Sequence, residues 1–189
     1  MKKITFFLTS AFFSLSVISS ASADNYKYRP YVGIDYVKDK VSIDHFKPEH
    51  HALGLRIGTD YTRYFGTEVF FTQSNAFNEN RRVRQGEHLR LKTSYRSYGL
   101  DVLAYLPLGC EVPFSLAATA GIGEYTYRER MYPNKHHEEH GYGYRFGGGF
   151  RYMISQNWFI RGLARYVKFD RLGDYDDAME YTAGVDYHF

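Results

Sequence analysis

The chain has 189 residues, one cysteine, and 24 basic against 21 acidic residues. The lone Cys110 excludes an internal disulfide, and the near balance of charge gives no net basic face of the kind nucleic-acid binding needs, so no nucleic-acid partner is expected. Tyr and Phe are abundant, at 19 and 15, yet mean hydropathy is only −0.47. Past the N-terminus no stretch approaches the run of about 20 apolar residues that a membrane-crossing helix needs.

Met1-Lys2-Lys3 opens the chain, and a mostly apolar run reaches Ile18 before Ala21-Ser22-Ala23. A basic start, a short apolar segment and an A-x-A site read as a secretory signal peptide. It is expected over 1–23, leaving 24–189 as one mature domain. No Cys follows the cleavage site, so a lipoprotein anchor is not expected.

Beyond it, apolar and polar residues alternate in twos, the period of a β-strand with two different faces. The first strand is predicted over 29–37, with Val32, Ile34 and Tyr36 on one face and Tyr31, Gly33 and Asp35 on the other. A polar loop at 38–50 leads to a strand at 51–59, where Leu53, Leu55 and Ile57 oppose Gly54, Arg56 and Gly58. After a turn at 60–63, Phe65, Thr67, Val69 and Phe71 oppose Gly66, Glu68 and Phe70. A second long polar loop is expected at 75–91. The fourth strand, 93–106, sets Tyr98, Leu100 and Val102 against Gly99, Asp101 and Leu103. Pro107-Leu108-Gly109 breaks it. The fifth strand, 112–127, loses its alternation past Gly123, as at a bulge.

A third loop at 128–140 precedes a strand at 141–153, where Tyr144, Phe146 and Phe150 oppose Arg145, Gly147, Gly149 and Arg151. Ser155-Gln156-Asn157 makes a short turn. The seventh strand, 158–169, has Ile160, Ala164 and Tyr166 against Arg161, Leu163 and Arg165. A fourth loop, 170–178, leads to the last strand. There Tyr181, Ala183, Val185, Tyr187 and Phe189 share a wholly apolar face, and Glu180, Thr182, Gly184, Asp186 and His188 share the other.

This is an all-β pattern of eight strands whose connections alternate long and short, ending in long. It predicts an eight-stranded antiparallel up-and-down transmembrane β-barrel, with short periplasmic turns and four longer extracellular loops. A soluble up-and-down barrel keeps its apolar face inside. Here one face carries Asp35, Arg56, Glu68, Asp101, Arg145, Arg151, Arg161, Arg165, Glu180 and Asp186, while the other is Leu, Ile, Val and aromatic. Only lipid outside and a polar lumen inside accommodate both.

The runs Tyr31-Val32-Gly33-Ile34-Asp35-Tyr36, Arg63-Tyr64-Phe65-Gly66-Thr67-Glu68, Gly147-Gly148-Gly149 and Val185-Asp186-Tyr187-His188-Phe189 resemble the small outer-membrane barrels of the OmpA-like and opacity-protein family. The resemblance spans the mature chain. It implies residence in a bacterial outer membrane, contact with its lipids and lipopolysaccharide, and insertion by the barrel-assembly machinery. The final aromatic residue also resembles the C-terminal assembly signal of such barrels, carried here by Tyr181, Val185, Tyr187 and Phe189.

Three constellations bear on chemistry. The ten interior charges are expected to bridge one another as a polar plug, because a buried unpaired charge costs several kcal/mol. An ion path, as in a narrow porin, is the alternative. His136-His137-Glu138-Glu139-His140 has metal-ligand chemistry but not the helical H-E-x-x-H spacing, and a solvated loop is expected there. Arg81, Arg82, Arg84 and Arg90 form a basic group suited to phosphate or sulfate of lipopolysaccharide or a glycan. Pairing with the acidic loop of Asp170, Asp174, Asp176 and Asp177 is an equal alternative. No cofactor and no catalytic set is expected: Ser94, Ser97 and His140 have the residue types of a lipid A hydrolase, but no spacing ties them together. The expected role is contact with the surroundings or with the envelope through exposed loops, in the manner of a surface antigen or adhesin and with an extracellular or host ligand.

Overall fold

The structure is a computed structural model that describes residues 28–42, 49–74, 77–82, 88–108, 113–131, 135–170, 172 and 176–189. Every element among them is a strand: β1 (Arg29–Ser42), β2 (Glu49–Thr62), β3 (Phe65–Ser74), β4 (Phe77–Arg82), β5 (His88–Pro107), β6 (Phe114–Met131), β7 (Lys135–Met153), β8 (Trp158–Asp170) and β9 (Asp177–His188). Neighbours run in the order β3-β2-β1-β9-β8-β7-β6-β5, and β3 pairs with β5 to close the ring. β4 continues along the same edge of β5, from Phe77↔Thr93 to Arg82↔His88, so β3 and β4 share one position in the wall. The result is a closed, all-antiparallel barrel eight strands around. The first and last strands meet, with Ile34 opposite Val185 and Tyr31 opposite His188. The proposed signal peptide, Arg84 and Cys110 lie outside the described residues.

The wall is inside out relative to a soluble protein. Leu53 is 69% exposed and Ile57 67%, whereas Arg145 is 2% and Arg165 1% exposed. Outward Val32, Ile34, Leu55, Val69, Leu100, Val102, Leu116, Ile122, Phe146 and Ile160 form an apolar belt. Water would solvate such a belt poorly, and hydrocarbon solvates it well. Closure leaves no unpaired strand edge within that belt.

Two expectations need correction. Residues 75–91 and 128–140 are mostly wall rather than loop. β5 has 20 residues, β6 18 and β7 19, about twice what a tilted crossing needs. Their upper halves pair without a break, from Leu91↔Met131 on one side of β6 and Met131↔Lys135 on the other. There is also no bulge at Gly123, where the register runs on through Tyr98↔Glu124 and Tyr95↔Tyr127. The pleat keeps its parity and only the surroundings change. Above the belt the outer face meets water, so Glu124, Thr126 and Arg128 point out while Tyr125 and Tyr127 point in and are buried. The register shift that does occur lies between Asp60 and Thr62, beside the turn into β3.

Gly147 and Gly149 permit the tightest backbone approach. A Cβ on Gly147 would stand 2.0 Å from the Ala164 carbonyl oxygen, and one on Gly149 would stand 1.9 Å from that of Gly162. A carbonyl in a ladder has no flexible arm to move aside. Gly149→Val should therefore destabilise the barrel by about 3 kcal/mol, the scale of overpacking. The urea midpoint in detergent is the measurement, and an unchanged midpoint would show that the β7–β8 wall has slack there.

Candidate functional site: the filled lumen and the projecting sheet

All ten charges predicted to face inward lie in the lumen, none more than 8% exposed. Strand parity places them there, and closure brings together residues from seven strands. Glu68 on β3 is the hub. Arg161 on β8 grips it with two 2.8 Å hydrogen bonds, one to each oxygen, and the Tyr31 hydroxyl donates a third at 2.8 Å. Arg56 and Arg165 approach it at 3.5 and 3.6 Å. Arg56 also holds Asp35 and stands 2.9 Å from Asp186. Arg165 hydrogen-bonds Glu180 at 2.8 Å and lies 3.5 Å from Asp101. Arg145 grips Asp101 with two hydrogen bonds and lies 3.4 Å from the centre of the Phe70 ring. Four guanidinium groups and five carboxylates thus form one continuous chain across the lumen.

Arg151 stands apart from it. It hydrogen-bonds Asp60 at 2.6 Å and packs 3.6 Å over the Tyr105 ring. His188, stacked on Tyr31 at 4.8 Å, seals the short-turn end beside Asp60. Asp60 is absent from the ten residues predicted inside, because the pattern around it reads as a turn. The parity of Gly54, Arg56 and Gly58, carried one step further, would have placed it.

At the long-hairpin end the lumen is apolar. Val37, Val41, Ala52, Tyr95, Tyr125, Tyr127, Val167, Phe169, Leu172 and Ala178 form one buried cluster. Tyr95 and Tyr127 stack at 5.5 Å, and Phe169 meets Tyr125 edge-on at 5.0 Å. Asp39 and His50, both within the expected first loop, 38–50, are titratable side chains buried in this cap. Asp39 accepts a 3.0 Å hydrogen bond from the Tyr127 hydroxyl, and its register partner His50 packs against Tyr95. Asp39 Oδ1 and His50 Nδ1 have no hydrogen-bond partner among the described residues.

On the outer face, register sorts the basic group. Arg82 and Arg90 share the parity of Ser94 and Arg96, while Arg81 has the opposite parity, opposite Leu89. The five residues His136 to His140 lie along β7 rather than in a loop, so their alternation divides them between two faces. Among the described residues no group of three or more His, Cys, Asp or Glu could hold a metal ion. His140 Nδ1 is 2.9 Å from the Thr126 hydroxyl, and His140 Nε2 is 3.3 Å from Glu138. Ser94 lines the same outer-wall cavity as His140. Ser97 is buried, facing the lumen. Thr126 and His140 face each other in the paired β6 and β7 strands.

The model of the outer membrane protein β-barrel domain matches residues 7–189. The chain belongs to that family. A comparison with curated proteins gives no match. Among solved structures it is similar to Neisserial surface protein A, at 14% identity and a TM-score of 0.68, covering 87% of this chain and 100% of that one. It is similar to Ail, the attachment invasion locus protein of Yersinia pestis, in complex with the heparin analogue sucrose octasulfate. That match has 16% identity and a TM-score of 0.62 over 87% of this chain and 100% of that one. OprG of Pseudomonas aeruginosa is similar at 16% identity and a TM-score of 0.53, over 86% and 95%. At these identities the likeness is one of fold; the outer-membrane location is supported by the family match.

Two predictions come from the lumen. Arg161→Ala strips Glu68 of its bidentate partner and should cost about 3–5 kcal/mol, the usual penalty for orphaning a buried charge. Glu68→Gln in the same background should recover part of that loss. A urea midpoint unchanged by Arg161→Ala would remove Glu68 from the centre of the network.

The second concerns pH. Asp39 and His50 lie above the apolar belt. Burial, helped by nearby Glu180, pushes the Asp39 carboxyl from 3.8 up to about 8, against the hydrogen bond from Tyr127. Burial pulls the His50 imidazole from 6.5 down to about 4. Folded Asp39 keeps a proton that the unfolded carboxyl loses, so its contribution is full below 3.8 and gone above about 8. Folded His50 refuses a proton that the unfolded imidazole takes, so its contribution is full above 6.5 and lost as pH falls to about 4. The slopes oppose between 4 and 6.5, and only that of Asp39 remains from 6.5 to 8. Stability should therefore decline between pH 6.5 and 8, and Asp39→Asn should flatten that decline. Parallel urea titrations of the two proteins check it; identical pH profiles would contradict it.

Proposed function

We propose that this protein is a closed outer-membrane barrel that works by surface contact, as an adhesin-like or envelope-contact protein, and that it neither conducts solutes nor catalyses a reaction. The observation that carries the reading is the wall that β4 to β7 extend well beyond the apolar belt. With the short turns on the periplasmic side, that wall is a rigid sheet standing outside the cell, and rigid scaffolds are where contact surfaces are held. The lumen supports the same reading. An eight-stranded interior is just wide enough for side chains, and here it holds an ion-pair chain below an aromatic cap. The relative solved with sucrose octasulfate makes a sulfated sugar a reasonable class of ligand. Arg82, Arg90 and their neighbours have the chemistry to meet one.

The same reading includes export by a cleaved signal over 1–23, a mature barrel of 24–189, and insertion directed by Tyr181, Val185, Tyr187 and Phe189. In the barrel, Tyr181 on the outer face of β9 and Phe189 just past its end are exposed at 44% and 66%. They are open to assembly machinery before lipid covers them.

Shortening 78–90 or 131–139 should abolish binding of the purified barrel to host cells or sulfated glycan, while the heat-modifiable folded form persists on gels. In planar bilayers the unmodified barrel should give little or no current. Steady, uniform channels would replace this reading with that of a narrow porin.

A further inference from the structure

β1 and β9 are the first and last strands, and their pairing completes the ring. A hairpin fixes the register of the strands it joins through its turn and loop length. No turn joins β1 to β9, so their register has to come from side chains. The apolar pattern is unable to supply it. Val32, Ile34 and Tyr36 face outward on β1, and Tyr181, Ala183, Val185 and Tyr187 face outward on β9. A slip of two residues preserves parity and sets apolar against apolar again.

The inward face is not indifferent. Gly33 lies opposite Asp186, and Asp35 lies opposite Gly184, so two glycines and two aspartates face each other reciprocally. Each carboxylate lies across the glycine it faces. A Cβ on Gly33 would overlap Asp186 Oδ1, and a Cβ on Gly184 would overlap Asp35 Oδ1. Asp101 lies over Gly121 in the same way, so the narrow lumen uses this fit elsewhere. At the seam the fit runs in both directions.

Arg56 on β2 completes it. Its guanidinium reaches across β1, donating to Asp35 at 2.7 Å from Nη2 and standing 2.9 Å from Asp186 through Nη1. The same Nη2 is 3.0 Å from the place a Gly33 Cβ would take and 2.7 Å from that of a Gly184 Cβ. One guanidinium thus rests on both glycines and meets both carboxylates, holding the first strand to the last.

Neither slip keeps this arrangement. Sliding β9 by two residues one way brings Asp35 opposite Asp186 and leaves Gly33 facing His188. Like charges directly opposite destabilise a strand pair. Sliding it the other way sets Gly33 opposite Gly184, with Asp35 facing Thr182 and Asp186 facing Tyr31. Stagger belongs to the whole ring. A slip at the seam therefore also displaces Arg161 on β8 from Glu68 on β3.

We infer that Gly33, Asp35, Gly184, Asp186 and Arg56 form a register lock that selects how the first strand meets the last when the barrel closes. The lock acts in assembly and is separate from any contact the outer wall makes.

The test reads register by disulfide cross-linking in the full barrel, with Cys110→Ser removing the native thiol. Ile34→Cys with Val185→Cys reports the observed register. Ile34→Cys with Tyr187→Cys reports the slip that opposes the two aspartates, and Ile34→Cys with Ala183→Cys reports the other. Each barrel is refolded from urea into phosphatidylcholine vesicles, oxidised, and scored on gels for heat-modifiable, cross-linked product. The unaltered seam should give the 34–185 product. Gly33→Asp sets a second carboxylate against Asp186 and should cut that product about tenfold, the scale of an overpacked pair of like charges. Adding Asp186→Gly moves the carboxylate to β1 and the glycine to β9, and should restore most of the product. If Gly33→Asp alone does not fold, Asp35→Asn with Asp186→Asn is the second variant. It keeps the size of both side chains and removes the like charge, so the 34–187 product should appear. An undiminished 34–185 product in Gly33→Asp, no recovery on adding Asp186→Gly, or no slipped product from the asparagine pair overturns the inference.

Discussion

Three guanidinium groups converge on Glu68, and the rest of the barrel depends on that convergence. In hydrocarbon each backbone N–H and C=O must be paired, so the strands have to close into a ring. Closure turns one face of every strand inward. With eight strands the enclosed space is about the width of two opposed side chains. Polar residues placed there have too little room for bulk water and must neutralise one another. Glu68 does so with Arg161 directly and with Arg56 and Arg165 at longer range. Those arginines extend the chain to Asp35, Asp186, Glu180 and Asp101. Since these residues come from strands all around the ring, the network ties opposite walls together as well as filling the space between them.

The lumen is stratified. Its charged middle is bounded by Arg151, Asp60 and His188 at one end and by the tyrosine cap at the other. The cap is where the wall leaves the membrane, and the reason is solvent. Inside the belt, lipid demands apolar residues outside, which leaves polar ones inside. Above the belt, water accepts polar residues outside, which frees the interior to bury aromatic groups. The same pleat therefore carries opposite polarity in its two halves, and β6 shows the exchange within a few residues, from Ile122 outward to Tyr125 inward. Asp39 and His50 are titratable groups buried in the cap, and burial displaces the protonation of the acid and of the base in opposite directions.

In the proposed reading, a barrel filled in its middle and at its long-hairpin end presents its surface as the part that interacts. Paired strands hold that surface in place far more firmly than free loops would, so the spacing of charges on it is a property of the wall.

Parity was legible from the sequence alone. A period of two assigns each side chain to a face without reference to any partner strand, so the belt, the ten inward charges and the strand count follow from alternation. The extent of the strands did not follow, because alternation was judged against apolarity, and above the belt the apolar face is the inner one. For that reason 75–91 and 128–140 read as loops and Asp39 was missed as an interior residue, whereas Asp60 was missed because the residues around it read as a turn. Which acid meets which arginine was beyond the sequence as well. Arg161 and Glu68 are 93 residues apart, and Arg145 and Asp101 are 44 apart. Such partners are set by the stagger of strands around a closed ring.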